Sequence, residues 1–196
     1  LGPDAGAPLA SHPGVDKVTF TGSTEVGRLI INAAAGNFKR VTLELGGKTP
    51  CIILPDADVD AAIQGAARSI FSNAGQICNA GSRLFVHQRH FEQVVEGVSK
   101  VAEAMKVGGG FEAETQMGPV ISATQRDRIR TYVEGGVQAG ATLRAGRRVI
   151  DGPGSFVAPT VLTDTDAQMA VRREEIFGPV LCAMSFGDED LERIAS

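Results

Sequence analysis

Tryptophan is absent from this sequence of 196 residues, which contains only one tyrosine and three cysteines. The cysteines, Cys51, Cys78 and Cys182, lie far apart, with no Cys-x-x-Cys pair and no histidine at the spacing of a metal ligand. This pattern excludes a disulfide-rich scaffold and gives no indication of a zinc site. We therefore expect reduced thiols, a cytoplasmic location and no metal.

Long apolar runs and an excess of positive charge are also missing. No run approaches the roughly twenty residues that a membrane-spanning helix needs, and no signal peptide is recognisable. With 19 basic and 23 acidic residues the formal net charge is -4, and arginines such as Arg126, Arg128 and Arg130 alternate with acidic and apolar residues. We expect neither a membrane nor a nucleic acid as the main partner.

The sequence does contain a regular alternation of short apolar segments and amphipathic segments. Apolar runs typical of strands occur at 15–20, 40–45, 51–54, 83–86, 142–144, 156–162 and 180–184. Between them, apolar residues recur every three or four positions. Helices are predicted over 4–12, onward from 21–27, and over 59–70, 91–105 and 122–137. Strands that alternate with helices predict an α/β fold.

Cys78 has neighbours unlike those of the other two cysteines. It stands among glycines and small polar residues, between Gly75 and Gly81, whereas Cys51 and Cys182 lie in apolar runs and are predicted core positions. A lone cysteine is usually a small buried apolar residue. Flanking glycines, however, permit a tight turn that holds a thiol at a pocket wall with its own amide N–H pointing inward. Cys78 is therefore the candidate nucleophile, between a helix and a strand.

The segment Thr21–Gly27 marks the point where a strand ends and a helix begins. The first N–H groups of a helix and its dipole favour an anion, and Gly22 carries no side chain that would block a phosphate. The spacing of Gly22 and Gly27 matches neither the Gly-x-Gly-x-x-Gly fingerprint nor a P-loop. An ordinary N-capped helix remains the alternative.

Two acidic segments also stand at breaks in the chain. Glu44 ends a predicted strand just before Gly46 and Gly47, where it would face a cleft or simply the solvent. The segment Glu174–Pro179 contains two acids and an aromatic residue before the last predicted strand. An acid there would suit a ribose hydroxyl, although paired glutamates are more often solvated.

Together and in this order, these four segments resemble the NAD(P)-dependent aldehyde dehydrogenases. Phe20–Gly27 is similar to the phosphate-binding turn of that family, Leu43–Lys48 to its glutamate motif, Gly75–Cys78 to its cysteine motif and Glu174–Val180 to a fourth motif. The resemblance runs over essentially the whole chain. It implies an aldehyde dehydrogenase-like α/β fold, with the C-terminal part of a Rossmann-type NAD(P)-binding domain at 1–47. Most of an α/β catalytic domain, truncated at its C-terminus, would follow at 48–196.

The resemblance further implies that an aldehyde is oxidised to a carboxylic acid with NAD or NADP. Cys78 would attack the aldehyde carbonyl to give a thiohemiacetal, whose oxyanion is held partly by the Cys78 N–H. Hydride transfer to the nicotinamide would leave a thioester, and Glu44 would activate the water that hydrolyses it. Help in deprotonating Cys78 would be a second role of Glu44. The residue types suit these roles, because a thiolate is both a strong nucleophile and a good leaving group and a carboxylate can deprotonate water.

Cofactor contacts follow from the same resemblance. The pyrophosphate would be lined by Gly22, Ser23 and Gly27. The backbone of Leu45 would face the nicotinamide, Glu175 would accept a hydrogen bond from the nicotinamide ribose, and Phe177 would flank the nicotinamide ring.

Several parts of the family pattern have no counterpart in these 196 residues. The oxyanion asparagine and the residues around the adenosine ribose lie upstream in the family, and a C-terminal segment supplies an oligomerisation strand. We therefore expect an internal fragment that alone binds dinucleotide poorly and turns over little or nothing, and a homo-oligomer for the full-length protein. Asn73 and Asn79 are not assigned the oxyanion role, because Asn79 is explained as a turn residue.

Two other classes of protein remain as alternatives. A cysteine-dependent esterase or acyltransferase would use Cys78 without a nucleotide, but His12, His87 and His90 do not form a recognisable Cys-His motif. A non-catalytic structural protein on a dehydrogenase fold is the other, since a fold does not guarantee activity. An aldehyde reaction that occurs only with NAD(P) would argue against the esterase or acyltransferase. An unreactive, buried Cys78 in a thiol-labelling experiment would favour the structural protein.

Overall fold

Alternating strands and helices build two separate units, Leu1–Gly47 and Lys48–Ser196, in the computed structural model. The structure describes residues 1–148, 150 and 152–195. The boundary between the units falls where the sequence analysis divides a cofactor domain from a catalytic domain. The functions given to these domains stay predictions.

The first unit is a strand–helix–strand arrangement preceded by a short helical segment. Its elements are a π-helical turn at Gly2–Gly6, α1 (Ala7–Ser11), β1 (Lys17–Gly22), α2 (Thr24–Ala34), a 3-10 turn at Ala35–Asn37 and β2 (Arg40–Leu45). The strands β1 and β2 are parallel, and Gly22 pairs with Leu45 at their carboxyl ends. Parallel neighbours need a crossover between them, and α2 provides it.

The second unit contains a mixed sheet with the strand order β3-β4-β7-β6-β5. Its elements are β3 (Pro50–Ile53), α3 (Val59–Phe71), a 3-10 turn at Ser72–Gly75, β4 (Arg83–His87), α4 (Phe91–Ala104), α5 (Ala123–Gln138), β5 (Thr142–Ala145), β6 (Thr160–Thr163), α6 (Ala170–Arg173), β7 (Val180–Phe186), a 3-10 turn at Asp188–Asp190 and α7 (Leu191–Ala195). Neighbouring strands are parallel except β5, which runs antiparallel to β6.

The core of the second unit lies where the central strands meet the apolar faces of α3 and α4. Fully buried side chains come from both layers, among them Ile70, Leu84, Val94, Val98 and Leu181. The spacing of three and four that predicted these helices therefore reports their buried faces. Within the described residues, no helix is long and apolar enough to span a bilayer.

The predicted strand at 156–162 is wrong in its first half, because the strand begins only at Thr160. Val157 and Ala158 are buried, which explains the apolar run, but the backbone there is irregular. The Ala158 carbonyl accepts a hydrogen bond from Thr160 Oγ1 (2.9 Å) instead of joining a ladder. Apolar runs report burial more directly than they report a strand. β1 is also displaced, starting and ending two residues later than the predicted 15–20.

Candidate active site

Lys48, the cysteine motif and the fourth motif reach one edge of the sheet in the second unit. Lys48 precedes β3, Cys78 precedes β4, and the segment Glu174–Pro179 precedes β7. These strands are parallel neighbours in which Pro50 pairs with Arg83, and Arg83 with Cys182. Because parallel strands start at the same edge, the three segments lie together at the amino edge of this sheet.

Cys78 lies in a turn between the 3-10 turn and β4, as the sequence predicts, and it is exposed. Its backbone N–H donates to no acceptor in the described part of the chain and is free for a ligand. Cys51 is half-buried against the core, and Cys182 is fully buried with its thiol directed at the Val171 carbonyl (3.4 Å). Burial raises the pKa of both these thiols, at Cys182 against an opposing effect of the nearby cations. Cys78 is the thiol that a substrate can reach.

The turn before Cys78 has an unusual backbone. Asn73, Ala74 and Gly75 have φ angles of 51, 53 and 69 degrees, so three consecutive residues are left-handed. For a residue other than glycine this conformation costs roughly 1–2 kcal/mol. A reciprocal pair offsets the cost, because Asn73 Nδ2 donates to the Gln76 carbonyl (3.0 Å) and Gln76 Nε2 donates to the Asn73 carbonyl (3.1 Å). Asn73 is thus occupied in bracing the turn.

Glycines on both sides of Cys78 allow close backbone packing. A Cβ on Gly75 would lie 2.1 Å from the Gly178 carbonyl oxygen, and one on Gly81 would lie 2.5 Å from Ser69 Oγ on α3. From the sequence, these glycines are expected to permit a tight turn at a pocket wall. In the structure they permit contact with the protein itself, and Gly75 joins the cysteine segment to the fourth motif.

The fourth motif is held along one face of α5. Gln125 Nε2 donates to the Ile176 and Phe177 carbonyls (2.8 and 2.9 Å), Arg128 donates to the Glu175 carbonyl (2.9 Å), and the Tyr132 hydroxyl donates to Glu174 (2.6 Å). These roles of Gln125, Arg128 and Tyr132 were not predicted from the sequence. Their spacing of three and four on one helix face was the available signal, but it does not reveal a partner far along the chain.

The sequence Ser122–Gln125 has the Ser-x-x-Gln form of a capping box, which predicts that both side chains cap the start of α5. The first half is confirmed, because Ser122 Oγ accepts from the Gln125 N–H (3.1 Å). The Gln125 side chain does not complete the box in this structure, since its amide points to the fourth motif. A side chain with a longer-range partner is not available for the local one.

The two glutamates of the fourth motif have different surroundings. Glu174 is exposed and held by Tyr132, whereas Oε1 of Glu175 is buried and accepts no hydrogen bond in the described part of the chain. A buried carboxylate oxygen without a donor fits a ligand hydroxyl such as that of a ribose. Phe177, with φ 59 degrees, is 39% exposed as a whole residue. Glu175 and Phe177 therefore lie in one segment with groups that a cofactor can contact.

In the first unit, five predicted site residues gather at or near the carboxyl ends of β1 and β2. They are Gly22, Ser23, Gly27, Glu44 and Leu45. In parallel sheets, ligands bind outside the carboxyl ends of strands. Glu44 is exposed there.

Internal packing accounts for much of the glycine pattern in this unit. A Cβ on Gly22 would lie 2.4 Å from the Phe20 ring, and one on Gly27 would lie 2.7 Å from Leu45 Cδ2. Ser23 caps α2, because its Oγ accepts from the Val26 N–H (3.3 Å). The N-capped helix described as the alternative is therefore present, and α2 begins two residues after the carboxyl end of β1. At Gly27 an added Cβ would need the Leu45 side chain to move, so the packing of α2 against β2 by itself favours a glycine.

Comparison with known proteins places these segments in a family. The model of the Aldehyde dehydrogenase family matches residues 1–195. An aldehyde dehydrogenase of Emericella nidulans is 48% identical over 190 residues, which are 96% of this chain and 38% of the relative. A betaine aldehyde dehydrogenase of Agrobacterium fabrum is 42% identical over 190 residues, 95% of this chain and 38% of the relative.

Solved structures agree with this placement. An NAD+ complex of aldehyde dehydrogenase from Bacillus cereus matches with a TM-score of 0.96 and 48% identity, covering 100% of this chain and 40% of that chain. The chain thus spans about 40% of the length of the relatives it matches. The α/β fold, the order of the motifs and these matches lead to one conclusion: the chain belongs to the aldehyde dehydrogenase family.

Proposed function

We propose that the protein oxidises an aldehyde to a carboxylic acid with NAD or NADP, and that Cys78 is its nucleophile. The observation that carries the proposal is an exposed Cys78, with a free N–H, at the same sheet edge as the fourth motif. Membership in the aldehyde dehydrogenase family and the NAD+ complex of the Bacillus cereus relative support the reaction class and the cofactor class.

Cys78 would form and release the covalent intermediate. Its thiolate attacks the carbonyl carbon, the C–S bond forms, and the carbonyl oxygen becomes an alkoxide that accepts from the Cys78 N–H. When bound, the nicotinamide supplies the acceptor for the hydride that leaves this carbon. The thioester left on Cys78 then reacts with water, the C–S bond breaks, and the acid and the thiolate are released.

Glu44 would be the general base of the hydrolytic step. Its carboxylate is exposed at the end of β2, where it can take a proton from water. Gly22, Ser23 and Gly27 would line the pyrophosphate, and the Leu45 backbone would face the nicotinamide. Their positions at the carboxyl edge of β1 and β2 support this assignment.

Glu175 and Phe177 would hold the nicotinamide half of the cofactor. Oε1 of Glu175 is buried without a donor and suits a ribose hydroxyl, and the Phe177 ring is open to a flat partner. The hydrogen bonds from α5 fix the backbone of this segment before a cofactor binds. Such preorganisation lowers the entropic cost of binding.

The proposal is tested with protein expressed from the complete reading frame. We expect Cys78→Ser to lower the rate of NAD(P)H formation from an aldehyde at least about a thousandfold, because the nucleophile is lost. Cys51→Ser is the matched control and should leave the rate within about twofold. Cys51 is only half-buried, and replacing one atom at such a position usually has a small effect on stability. Wild-type turnover by the Cys78→Ser protein would contradict the proposal.

A cysteine-dependent esterase or acyltransferase is less well supported. His87 accepts from the Arg89 N–H (3.3 Å), and His90 Nε2 lies 3.0 Å from the Pro55 carbonyl oxygen. His87 is the last residue of β4 and His90 follows it, whereas Cys78 precedes the amino end of β4. A strand of this length spans roughly 15 Å, so neither histidine lies beside Cys78. Aldehyde consumption without NAD(P) would favour this alternative.

For the whole protein we also propose a cytoplasmic location and a homo-oligomeric state. The cysteines are free thiols, which suits a reducing compartment. Light scattering on the purified protein would measure the oligomer, and cell fractionation would establish the compartment.

A further inference from the structure

The side chain of Gln76, two residues before Cys78, forms hydrogen bonds with both ends of its amide. Its Oε1 accepts from the Ile121 N–H (2.9 Å), forty-five positions further along the chain, and its Nε2 donates to the Asn73 carbonyl (3.1 Å). A glutamine whose donor and acceptor are both satisfied is restricted to one rotamer. Gln76 thus joins the turn that contains Cys78 to a segment remote in sequence.

The Ile121 N–H belongs to a segment that is itself held on both sides. Val120 is buried, and its N–H donates to the Ser155 carbonyl (2.9 Å). On the other side, Ser122 Oγ caps the start of α5. The Ile121 side chain is exposed, so the contact with Gln76 is made by the Ile121 backbone. The oxygen of Gln76 therefore attaches the turn to the amino-terminal end of α5.

The backbone of this turn needs such an attachment. Residues 73–75 are left-handed, which is unfavourable for Asn73 and Ala74. After Cys78 the chain is held again, because the Gly81 N–H donates to the Ser69 carbonyl on α3 (3.2 Å). Cys78 lies between the two attachments. Loss of the first one would therefore leave its thiol and its N–H less precisely placed.

Helix α5 also holds the fourth motif, through the amide of Gln125. The turn of Cys78 and the segment that contains Glu175 and Phe177 are thus attached to the same end of one helix. A rigid element holds reacting groups more precisely than a free loop does. In the proposed reaction a hydride leaves the carbon bonded to Cys78, so a shared attachment for both segments suits the transfer.

We propose that Gln76 is a positioning residue for Cys78. Its hydrogen bond with the Ile121 N–H fixes the turn, so that the thiol and the Cys78 N–H keep the geometry that carbonyl attack and alkoxide binding require. This inference rests on the proposed function, which makes Cys78 the nucleophile. Gln76 acts through the backbone of the turn and not by contact with the substrate. Misplacement of reacting groups by about 1 Å can slow a reaction about a hundredfold.

Single-turnover hydride transfer tests the inference in protein from the complete reading frame. We expect Gln76→Met, which keeps the length of the side chain but not its amide, to slow NADH formation in stopped flow about thirtyfold. Ile77 still packs against the core, so the variant should fold. The dissociation constant of NAD+, measured by calorimetry, should change by less than about threefold, because Gln125 still holds the fourth motif.

Two further variants make the test specific. Gln116→Met is the matched control, because Gln116 Oε1 also accepts from a backbone N–H, that of Lys106 (2.9 Å). It should leave hydride transfer within about twofold of wild type. Gln76→Glu keeps an acceptor for the Ile121 N–H and loses the donor to the Asn73 carbonyl. It should recover hydride transfer to within about fivefold of wild type.

If Gln76→Met shows no thermal transition, Ile121→Pro decides. This substitution removes the N–H that Gln76 Oε1 accepts and replaces only an exposed side chain. It should slow hydride transfer about thirtyfold as well, again through misplacement of the turn. Wild-type hydride transfer in Ile121→Pro would overturn the inference.

The remaining outcomes separate this inference from the proposed function. Hydride transfer that survives Cys78→Ser would remove the proposed function itself. With Cys78→Ser inactive, equal rates in Gln76→Met and Gln116→Met would overturn the role of Gln76 alone. A loss of NAD+ affinity in Gln76→Met as large as its loss of rate would do the same, and so would a Gln76→Glu variant as slow as Gln76→Met.

Discussion

The surroundings of each sulfur distinguish Cys78 from the other cysteines. Cys182 is fully buried in β7, as predicted from its apolar neighbours. Cys51 was also predicted as a core position, but it is only half-buried because β3 is an edge strand in the sheet of its unit. Cys78 alone combines exposure with a turn whose N–H is free, among the residues that the structure describes.

Thiol labelling tests this difference residue by residue. In native protein, iodoacetamide should modify Cys78 first. Labelling of Cys182 should be at least about a hundredfold slower, because it requires local opening of the core. Peptide mass spectrometry after timed quenching measures both rates. Equal rates at Cys78 and Cys182 would show that the cysteine turn is not an accessible site.

At the level of structural elements, the turn that contains Asn73 to Cys78, here called the cysteine turn, packs against the fourth motif. Their contact depends on the backbone of Gly75 against Gly178, and the motif in turn depends on α5. The sequence identifies each segment but not this dependence, because Gln125 and Ile176 lie fifty-one positions apart. Hydrogen bonds from a side chain to a distant backbone carbonyl leave no local pattern.

A methyl group at Gly75 should break the contact. Gly75 has a φ of 69 degrees, and a Cβ there would lie 2.1 Å from the Gly178 oxygen, which is backbone and cannot move aside easily. We expect Gly75→Ala to destabilise the protein by about 2–4 kcal/mol, from strain and clash together. Denaturant unfolding followed by circular dichroism measures the change.

Gly65 offers the matched control for that substitution. It lies within α3, where an added Cβ meets nothing within 4 Å. Gly65→Ala should be neutral or stabilising by up to about 1 kcal/mol, because alanine is the better helix former. If Gly75→Ala were as stable as Gly65→Ala, the close contact between the two motifs would not exist.

Removal of the Gln125 amide should loosen the fourth motif. Gln125→Ala deletes two hydrogen bonds to the backbone carbonyls and should cost about 1–2 kcal/mol. Hydrogen exchange at 174–178 should become faster, and the KM for NAD+ should rise. Gln138→Ala, at the exposed end of α5, is the control and should change neither. Unaltered exchange in Gln125→Ala would mean that α5 does not hold the motif.

At the scale of the molecule, the order of strands and helices was largely predictable. Alternating apolar runs located most strands, and spacing of three and four located α3 and α4 through their buried faces. The irregular backbone of segment 156–159 was not predictable, because buried apolar residues give the same sequence pattern whether or not they pair in a sheet. The burial of Lys48 was not predicted for a related reason. A lysine is usually exposed to solvent, and only the fold buries this ammonium group.

The chain spans about 40% of its relatives, and this bears on what it does in isolation. We expect the 196 residues alone to bind NAD+ at least about tenfold more weakly than the product of the complete reading frame, because fewer contacts are available. Calorimetry on both samples makes the comparison. Robust NAD-dependent aldehyde oxidation by the isolated chain would contradict this expectation.

The central claim is that Cys78 carries the acyl group and Glu44 promotes its hydrolysis. Glu44→Gln should slow the hydrolytic step, so a thioester should accumulate during turnover with aldehyde and NAD+. Peptide mass spectrometry after acid quenching measures it directly. The account predicts the mass of one acyl group on the Cys78 peptide, present with NAD+ and absent without it. Aldehyde oxidation with Cys78 unmodified, or with the acyl group on another residue, would contradict it.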